Sequence, residues 1–518
     1  MKNIIPAASL GLPISIEKKA SMDEALELFS LSGEEILIVM ADGEYIGALS
    51  RRSLFNAKRY GLKVNLSEIA EEIPSGETFP GLEVLRNPLG AFLVLKETPK
   101  SLITLKEGPL LQEGLFKKET VKLKGELKTF AQILCEISSE LGVSAYFVGG
   151  VVRDLILNRP CFDIDVVITR KVQKFAEKFA RALQGEIIKK SLFGTFKIKA
   201  GAYIFDIAQM RWEYYEAPAR LPRIAPGPLR LDLFRRDFTV NALALCPVTG
   251  QIVDFYGGVA DIFSQKLRVL HVLSFIDDPT RIFRAARYAT RFNLELTKTT
   301  LRAIDLALKF ETLNLLTPAR LRNEFLRIFE EKEPLKAILF LKKHRILKKL
   351  FSLDPDETLF KKAFHLAEVA GLGERAEIEL VALLLAGSPE EFAKLELSTK
   401  KFESYQRQRK SLEEKASWLL DPAIPVSEKV FFLEKFPKEL LCASVSFLDE
   451  DFLLRCFKHY FKVSPGLSGK DLKRLGLNSG PILGKILKKI RAAKLDGQIK
   501  DGEEITFLEK ELKNGFPS

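Results

Sequence analysis

Two aspartates two positions apart, in Phe162-Asp163-Ile164-Asp165-Val166-Val167, follow shortly after Phe147-Val148-Gly149-Gly150-Val151-Val152-Arg153-Asp154. Side chains alternate faces along an extended chain, so the carboxylates of Asp163 and Asp165 project from one face. Like charges held that close repel unless a cation lies between them. The pair therefore asks for a hard metal ion with oxygen ligands, most simply Mg²⁺ bridging a triphosphate. The glycine pair permits a tight turn at which backbone approaches an anion, and the first turn of a following helix directs N–H groups towards it. A metal site and a phosphate cradle in one short segment point to nucleotidyl transfer.

Three elements must position these groups. The apolar run Ala145–Val148 predicts a strand ending at the glycines, Val151 onward a helix, and Asn158-Arg159-Pro160 the turn that stops it before the aspartate-bearing strand. A DxD pair alone is weak evidence, because acids at this spacing are usually a solvated strand face and glycosyltransferases use the same pair. Its context adds two more clusters: Arg235-Arg236-Asp237-Phe238-Thr239-Val240-Asn241-Ala242 and Asp277-Asp278-Pro279-Thr280-Arg281-Ile282-Phe283-Arg284-Ala285-Ala286-Arg287-Tyr288. Arg235, Arg236, Asp237 and Asn241 suit ribose and phosphate contacts. They follow the segment 212–231, which carries Pro218, Pro222, Pro226 and Pro228.

In this order and spacing, GGxVRD…DxD, RRDFTxNA and the DDxxR helix resemble the class II tRNA nucleotidyltransferases, the CCA-adding enzymes of the DNA polymerase β superfamily, with bacterial poly(A) polymerases as close cousins. The motifs cover about Tyr146 to Phe292, and Leu467-Ser468-Gly469-Lys470-Asp471-Leu472 with Gly480-Pro481 and Gly484-Lys485-Ile486-Leu487 is similar to the family's tail. The resemblance implies that Asp163 and Asp165 ligate the catalytic metals. One Mg²⁺ would activate a primer 3′-hydroxyl and the other would steady the departing pyrophosphate. Asp206, in Tyr203-Ile204-Phe205-Asp206-Ile207, is the candidate third carboxylate; the alternative is an acid at the sheet's end. Gly149, Gly150 and Arg153 would hold triphosphate through backbone amides and a guanidinium, while Asp154 caps or pairs locally.

The third cluster offers base choice without a nucleic-acid template. Asp278 and Arg281, three apart on a helix, share a face. A carboxylate accepts from the exocyclic amino group of cytosine or adenine, and a guanidinium donates to the ring nitrogen or carbonyl beside it. Uracil and guanine present an acceptor instead, leaving polar groups unpaired at about 1 to 3 kcal/mol each. Asp278 before Pro279 is also a good helix cap, a task that uses one carboxylate oxygen. Arg284 and Arg287 continue the basic stripe. Asp277 is a shorter acid than the glutamate usual at that place in the family.

The expected fold class is α+β: a polymerase-β-like nucleotidyltransferase head followed by an all-α neck, body and tail, with an N-terminal α/β domain. The boundaries read as 1–124 for the N-terminal domain, 125–262 for the head, 263–332 for a base-recognising neck, 333–415 for the body and 416–518 for a tRNA-binding tail. The N-terminal pattern is helix at Met22–Phe29, strand at Ile36–Met40, turn at Asp42-Gly43, strand at Tyr45–Leu49 and helix from Ser53. It resembles a cystathionine-β-synthase (CBS) module, with a degraded second copy from Ala91 to Leu105. Such modules suggest adenine-nucleotide binding or dimerisation, against a plain docking or spacer role. Breaks are expected near Thr317-Pro318, Asp354-Pro355, Gly387-Ser388-Pro389 and Ser464-Pro465-Gly466.

Composition bounds the partners. Lys plus Arg total 80 against 68 Asp plus Glu, a net charge of +12, which suits a polyanion. Basic runs at Lys342-Lys343-His344-Arg345, Lys348-Lys349, and Lys485, Lys488, Lys489, Arg491 and Lys494 fit phosphate contacts along a tRNA acceptor arm and 3′ end, or else are solvated helix faces. Five scattered cysteines without a CxxC suggest neither a disulfide framework nor a zinc ribbon, and no uncharged run approaches the ~20 residues of a membrane helix; a cytoplasmic location is expected. The expected activity is addition of C and/or A from CTP and ATP to tRNA 3′ ends. The alternatives are a CC-adding or A-adding specialist, a poly(A) polymerase, and a non-catalytic RNA- or nucleotide-binding protein.

Overall fold

The computed structural model describes residues 10–11, 14–34, 36–72, 78–79, 82–87, 90–95, 102–105, 120–191, 194–477 and 480–513. The chain divides into two compact units, Met1–Leu316 and Thr317–Ser518. The division falls at the expected Thr317-Pro318 break, where the Thr317 side chain accepts from the Arg320 amide and Pro318 takes the first helical position. It lies inside the segment expected as neck, most of which therefore belongs to the same unit as the head.

The first unit begins with β1 (Ser15–Glu17), α1 (Met22–Ser32), β2 (Ile36–Ala41), β3 (Glu44–Ser50), α2 (Arg51–Arg59) and α3 (Leu66–Ile69). This is the helix-strand-strand-helix order expected. A capping box between Ser21 and Glu24 starts α1, and the Ser50 side chain caps α2. Phe29, Leu37, Val39, Leu49 and Leu54 close onto Val272, Leu273, Ile276 and Leu306, so this region shares its hydrophobic core with later helices of the unit. Gly90–Leu95 and Leu102–Leu105 form the two strands anticipated for a second copy, in an antiparallel sheet with Leu10–Gly11, Thr78–Phe79 and Leu82–Asn87. Residues 96–101, between the two strands of the expected copy, lie outside the described residues.

The head follows: α4 (Gly125–Leu141), β4 (Ala145–Val148), α5 (Gly150–Ile156), β5 (Asp163–Ile168), α6 (Val172–Ala182), β6 (Glu186–Lys190), β7 (Phe196–Ala200), β8 (Tyr203–Gln209), β9 (Arg211–Tyr214), β10 (Arg223–Pro226), α7 (Leu229–Phe234), β11 (Leu243–Leu245) and β12 (Ile252–Asp254). Seven strands form one sheet in the order β6-β7-β8-β5-β4-β11-β12. Only β5 and β8 run parallel, which requires the crossover through α6. Ile164, Val166 and Ile168 are buried at alternate positions of β5, and Phe205 of β8 packs edge-on against Phe130 of α4 and Phe179 of α6. That apolar layer leaves the opposite face of β5 and β8 to their aspartates. The proline-bearing segment is a hairpin, β9 with β10, running into α7. Next come α8 (Gly258–Phe263), α9 (Ser274–Asp277), α10 (Thr280–Phe292) and α11 (Lys298–Lys309).

Helices dominate the second unit, from Pro318–Phe329 to Glu504–Lys513, with the expected breaks between them. Ser468 and Asp471 form a capping box at the start of Gly469–Arg474, and Pro481–Leu495 carries the basic run. Much of that run is neutralised internally. Arg491 pairs with Glu434, Lys489 with Glu511, and Lys494, only 6% exposed, sits between Asp501 and Glu504. Lys494 is therefore withdrawn from the polyanion-binding face expected for it. Among the described residues no helix is long and apolar enough to cross a membrane.

Candidate functional site

Strand register assembles the acidic centre. Asp163 and Asp165 share a face of β5, and in the parallel ladder Asp165 lies directly opposite Asp206 of β8. Asp206 thus stands beside the pair, within β8 rather than at its terminus. Burial and the neighbouring carboxylates both push the Asp165 carboxyl above the usual range, against the pull of Arg236. Asp163 is raised likewise by burial, with Lys197 opposing and Asp206 adding. Lys197, beside Asp206 in the β7–β8 pairing, donates to Asp206 Oδ2 at 2.8 Å, and Arg236 Nη1 lies 3.9 Å from Asp165 Oδ2.

Among the described residues no three metal-ligating side chains converge tightly enough to enclose an ion. The donor set still fits a divalent cation of the kind that keeps open positions. Two or three carboxylates on one face, with Asp163 and Asp165 held above the usual range by burial and, less, by carboxylate neighbours, are suited to an ion whose other ligands are water and substrate phosphate oxygens.

Gly149 ends β4 at φ +78°, ψ −133°, a conformation closed to residues with a side chain. A Cβ there would lie within contact distance of Arg236 Nη1 and 3.3 Å from Asp165 Oδ2. Its amide, expected to face phosphate, is spent within the sheet, donating to the Leu243 carbonyl at 2.9 Å. The orphan donors of the turn begin instead at Gly150 and Val151, the first residues of α5. Arg153, expected to reach the triphosphate, is buried: Nε and Nη2 donate to Asp154 at 2.9 and 3.0 Å, Nη1 donates to Asn241 Oδ1, and the Phe292 ring lies 4.2 Å away. Asp154 pairs locally, as expected. In this arrangement the Arg153 guanidinium braces α5 against the Asn241 segment rather than standing open to solvent.

The second cluster is held by acids the sequence reading passed over. Asp232, fully buried on α7, accepts from Arg235 Nε at 3.0 Å, Arg236 Nη2 at 3.5 Å and the Arg211 amide at 3.1 Å. Glu213 of β9 accepts from Arg211 and, at 3.2 Å, from Arg235 Nη1. The spacing of Asp232 to Arg235 and Arg236, three and four residues on across the C-terminal end of α7, is the signal that would have found it. Asp237 is buried between Arg284, whose Nε donates at 2.7 Å, and Asn241, whose Nδ2 donates at 3.1 Å. Arg284, with Asn241 and secondarily Arg281, holds the Asp237 carboxyl below the usual range against the opposing effect of burial. Arg284 also reaches the Tyr288 hydroxyl at 3.2 Å. Arg153, Asn241, Asp237, Arg284 and Tyr288 therefore form one continuous network.

Asp278 and Arg281 meet at the start of α10, where the Arg281 amide donates to the Asp278 carbonyl at 3.1 Å. Asp278 Oδ1 accepts from the Thr280 amide at 3.1 Å and the Thr280 hydroxyl at 2.7 Å, but the helix begins at Thr280 with Pro279 in the cap position, so Asp278 stands one residue before the cap expected of it. The Arg281 guanidinium is buried and donates to Ser274 Oγ at 2.7 Å, the Arg235 carbonyl at 2.8 Å and the Tyr215 hydroxyl at 3.4 Å. It thus touches the second cluster from behind. Arg287 lies two turns along the same helix, half-buried. Asp277 stands apart from the pair: fully buried, it accepts from the Tyr60 hydroxyl at 2.7 Å.

Residues 145–268 match the family model described as the poly A polymerase head domain. An A-adding tRNA nucleotidyltransferase of Geobacter sulfurreducens is 32% identical over 395 residues, 70% of this chain and 44% of that protein. A CCA-adding enzyme of Streptococcus suis is 28% identical over 420 residues, 76% of this chain and 98% of that enzyme. Among solved structures, an apo form of a CCA-adding enzyme matches with a TM-score of 0.64 and 31% identity, covering 76% of this chain and 96% of that one. The Thermotoga maritima CCA-adding enzyme complexed with tRNA-CCA matches with a TM-score of 0.63 and 29% identity, covering 77% and 100%. The chain spans 44%, 28% and 53% of the length of three A-adding relatives, from Geobacter sulfurreducens, Aquifex aeolicus and Halalkalibacterium halodurans.

Proposed function

This chain belongs to the class II tRNA nucleotidyltransferases, the CCA-adding enzyme family, and on that premise we propose that it adds C and/or A to tRNA 3′ ends from CTP and ATP, without a nucleic-acid template, releasing pyrophosphate. The observation that supports this most is the register that sets Asp163, Asp165 and Asp206 on one open sheet face beside the Gly149 turn. Family members use divalent metal ions, and Mg²⁺ is the ion proposed here, held by Asp163 and Asp165 with Asp206 adjacent. Bound there, it supplies Lewis acidity to the attacking 3′-hydroxyl and to the leaving pyrophosphate.

The remaining steps belong to the chain's own groups. The amides of Gly150 and Val151 face the triphosphate at the start of α5, and Arg236, fixed by Asp232, carries positive charge to the same place. Arg235, Asp237 and Asn241 contact ribose and phosphate through a framework that Arg153 and Arg284 brace. Asp278 accepts from the amino group of cytosine or adenine, and Arg281, turning from its internal partners, donates beside it. Arg287 extends the basic stripe towards the nucleotide. The tRNA acceptor arm lies along the basic helices, and a cytoplasmic location follows from that substrate.

A second reading, an A-adding specialist, is favoured by the three A-adding relatives of 32–34% identity. One experiment tests both. Purified protein with Mg²⁺ is given tRNA ending before CCA, after C or after CC, with each labelled nucleotide separately. Entry of C and A in turn marks a member that adds the whole CCA end, and entry of A only, on the CC end, marks the second reading. GTP or UTP entering as efficiently as ATP and CTP, or Asp165→Asn retaining full activity, refutes the proposal.

A further inference from the structure

We infer that the N-terminal helix-strand-strand-helix region positions the base-reading pair, with Tyr60 as the positioning residue; the inference rests on the reading of Asp278 and Arg281 given above. Tyr60 follows α2, and its hydroxyl donates to Asp277 Oδ1 at 2.7 Å across 217 residues of chain. The Asp277 carboxylate is fully buried, and its other oxygen has no hydrogen-bond partner among the described residues. His271 Nε2 stands 3.6 Å away but is kept neutral by burial and by Arg52 and Arg281. Tyr60 is therefore the one hydrogen-bond donor to this carboxylate among the described residues, with Arg52 and Arg281 adding charge at longer range, and a buried acid deprived of its donor moves or takes up a proton.

Asp277 cannot move alone. It closes α9, immediately before Asp278, and α9 also supplies Ser274, whose hydroxyl receives Arg281 Nη1 at 2.7 Å. A second route has the same endpoints. The Tyr60 hydroxyl lies 3.4 Å from the Tyr215 carbonyl, and the Tyr215 hydroxyl lies 3.4 Å from Arg281 Nη2. From the same region Arg59 stacks 4.3 Å over Tyr214, and Arg52 lies 4.5 Å over Phe234, whose ring stacks on His271. Each base-reading side chain is thus one residue removed from Tyr60. The shared core of Phe29, Leu54, Leu273 and Ile276 keeps that contact in place.

The test is Tyr60→Phe in the full chain, measured with tRNA, Mg²⁺ and each of the four nucleotides. Loss of a donor to a buried carboxylate predicts a KM for the accepted nucleotide raised about tenfold with kcat within about threefold, and discrimination against UTP and GTP reduced by a similar factor. Asp277→Asn, which keeps an acceptor but no charge needing a donor, should make the added Tyr60→Phe change nearly silent. A Tyr60 that only stabilised the fold would lower the melting temperature and leave discrimination unaltered. That outcome overturns the inference when Asp278→Asn does lose discrimination; if Asp278→Asn leaves discrimination intact, it is the base-reading assignment beneath the inference that fails.

Discussion

The glycine pair permits a sharp test, because its two members are expected to respond to alanine in opposite ways. Gly149 sits at φ +78°, ψ −133°, and an alanine there carries a backbone cost of about 1 to 3 kcal/mol. Its methyl group would also strike the Arg236 guanidinium. Arg236 is not free to yield: it is 14% exposed, with Nη2 on the fully buried Asp232 and Nη1 facing Asp165. Displacing it leaves Asp232 to Arg235 and the Arg211 amide, and removes the cation beside Asp165. The Arg236–Asp165 pair itself is long and half-exposed, so its loss adds little to stability. Together these give a destabilisation of about 2 to 4 kcal/mol for Gly149→Ala. Activity should fall further, by about 10²-fold in kcat/KM, because on the proposed function the turn aligns the amides of Gly150 and Val151 with the aspartates around the triphosphate, and shifts near 1 Å cost that much. At Gly150 φ is ordinary and a Cβ meets nothing nearer than Arg153 Nη2 at 3.4 Å. Gly150→Ala should therefore leave stability unchanged or raise it by about 0.5 to 1 kcal/mol, as expected for alanine in a helix. Chemical denaturation paired with single-turnover nucleotide incorporation measures both. A Gly149→Ala protein as stable as wild type and within threefold of its activity, or Gly150→Ala as the less stable of the two, refutes the reasoning.

Burial pushes the Glu71 carboxyl up to about 7 from an ordinary 4.5, with the Val272 amide, Ser53 and Arg268 opposing. The folded state therefore holds a proton the unfolded chain releases, so this contribution is complete below about pH 4.5 and fades by about 3 kcal/mol as pH rises through 7. Glu71→Gln, retaining its acceptor for Ser53 and Val272, should flatten that loss in melts from pH 5 to 8; an unchanged slope contradicts the assignment. Ile276, fully buried where the N-terminal region meets α9, should cost about 2 to 5 kcal/mol as alanine, with the region before residue 73 becoming protease-sensitive first. Arg284→Ala leaves Asp237 buried without its guanidinium, at about 1 to 3 kcal/mol, and should raise the Asp237 pKa; stability that improves as pH falls through that pKa, in Arg284→Ala and not in wild type, is the signature to look for.

What the sequence determined by itself is what short-range geometry fixes. The Ala145–Val148 strand, the glycine turn, the common face of Asp163 and Asp165 and the Thr317-Pro318 break depend on residues a few positions apart, where chain stereochemistry leaves few choices. Family resemblance supplied the rest of the expected site. The proline-bearing segment was not legible as a hairpin, since Pro218, Pro222, Pro226 and Pro228 disfavour a paired strand, whereas β9 pairs with β10 from Arg211 opposite Pro226 to Tyr214 opposite Arg223. Tertiary structure alone decided how the charges are shared. The β5–β8 ladder puts Asp206 beside Asp165, a fold turns Arg153 inward to Asn241, the α7 helix gives Arg235 and Arg236 to Asp232, and a common core brings Tyr60 to Asp277. Lys494 shows the same limit in reverse, counted as a surface cation until two acids are folded over it. The physical reason is that Coulomb and hydrogen-bond energies depend on distance and burial, and these follow from strand order and core packing, which no local window of residues contains.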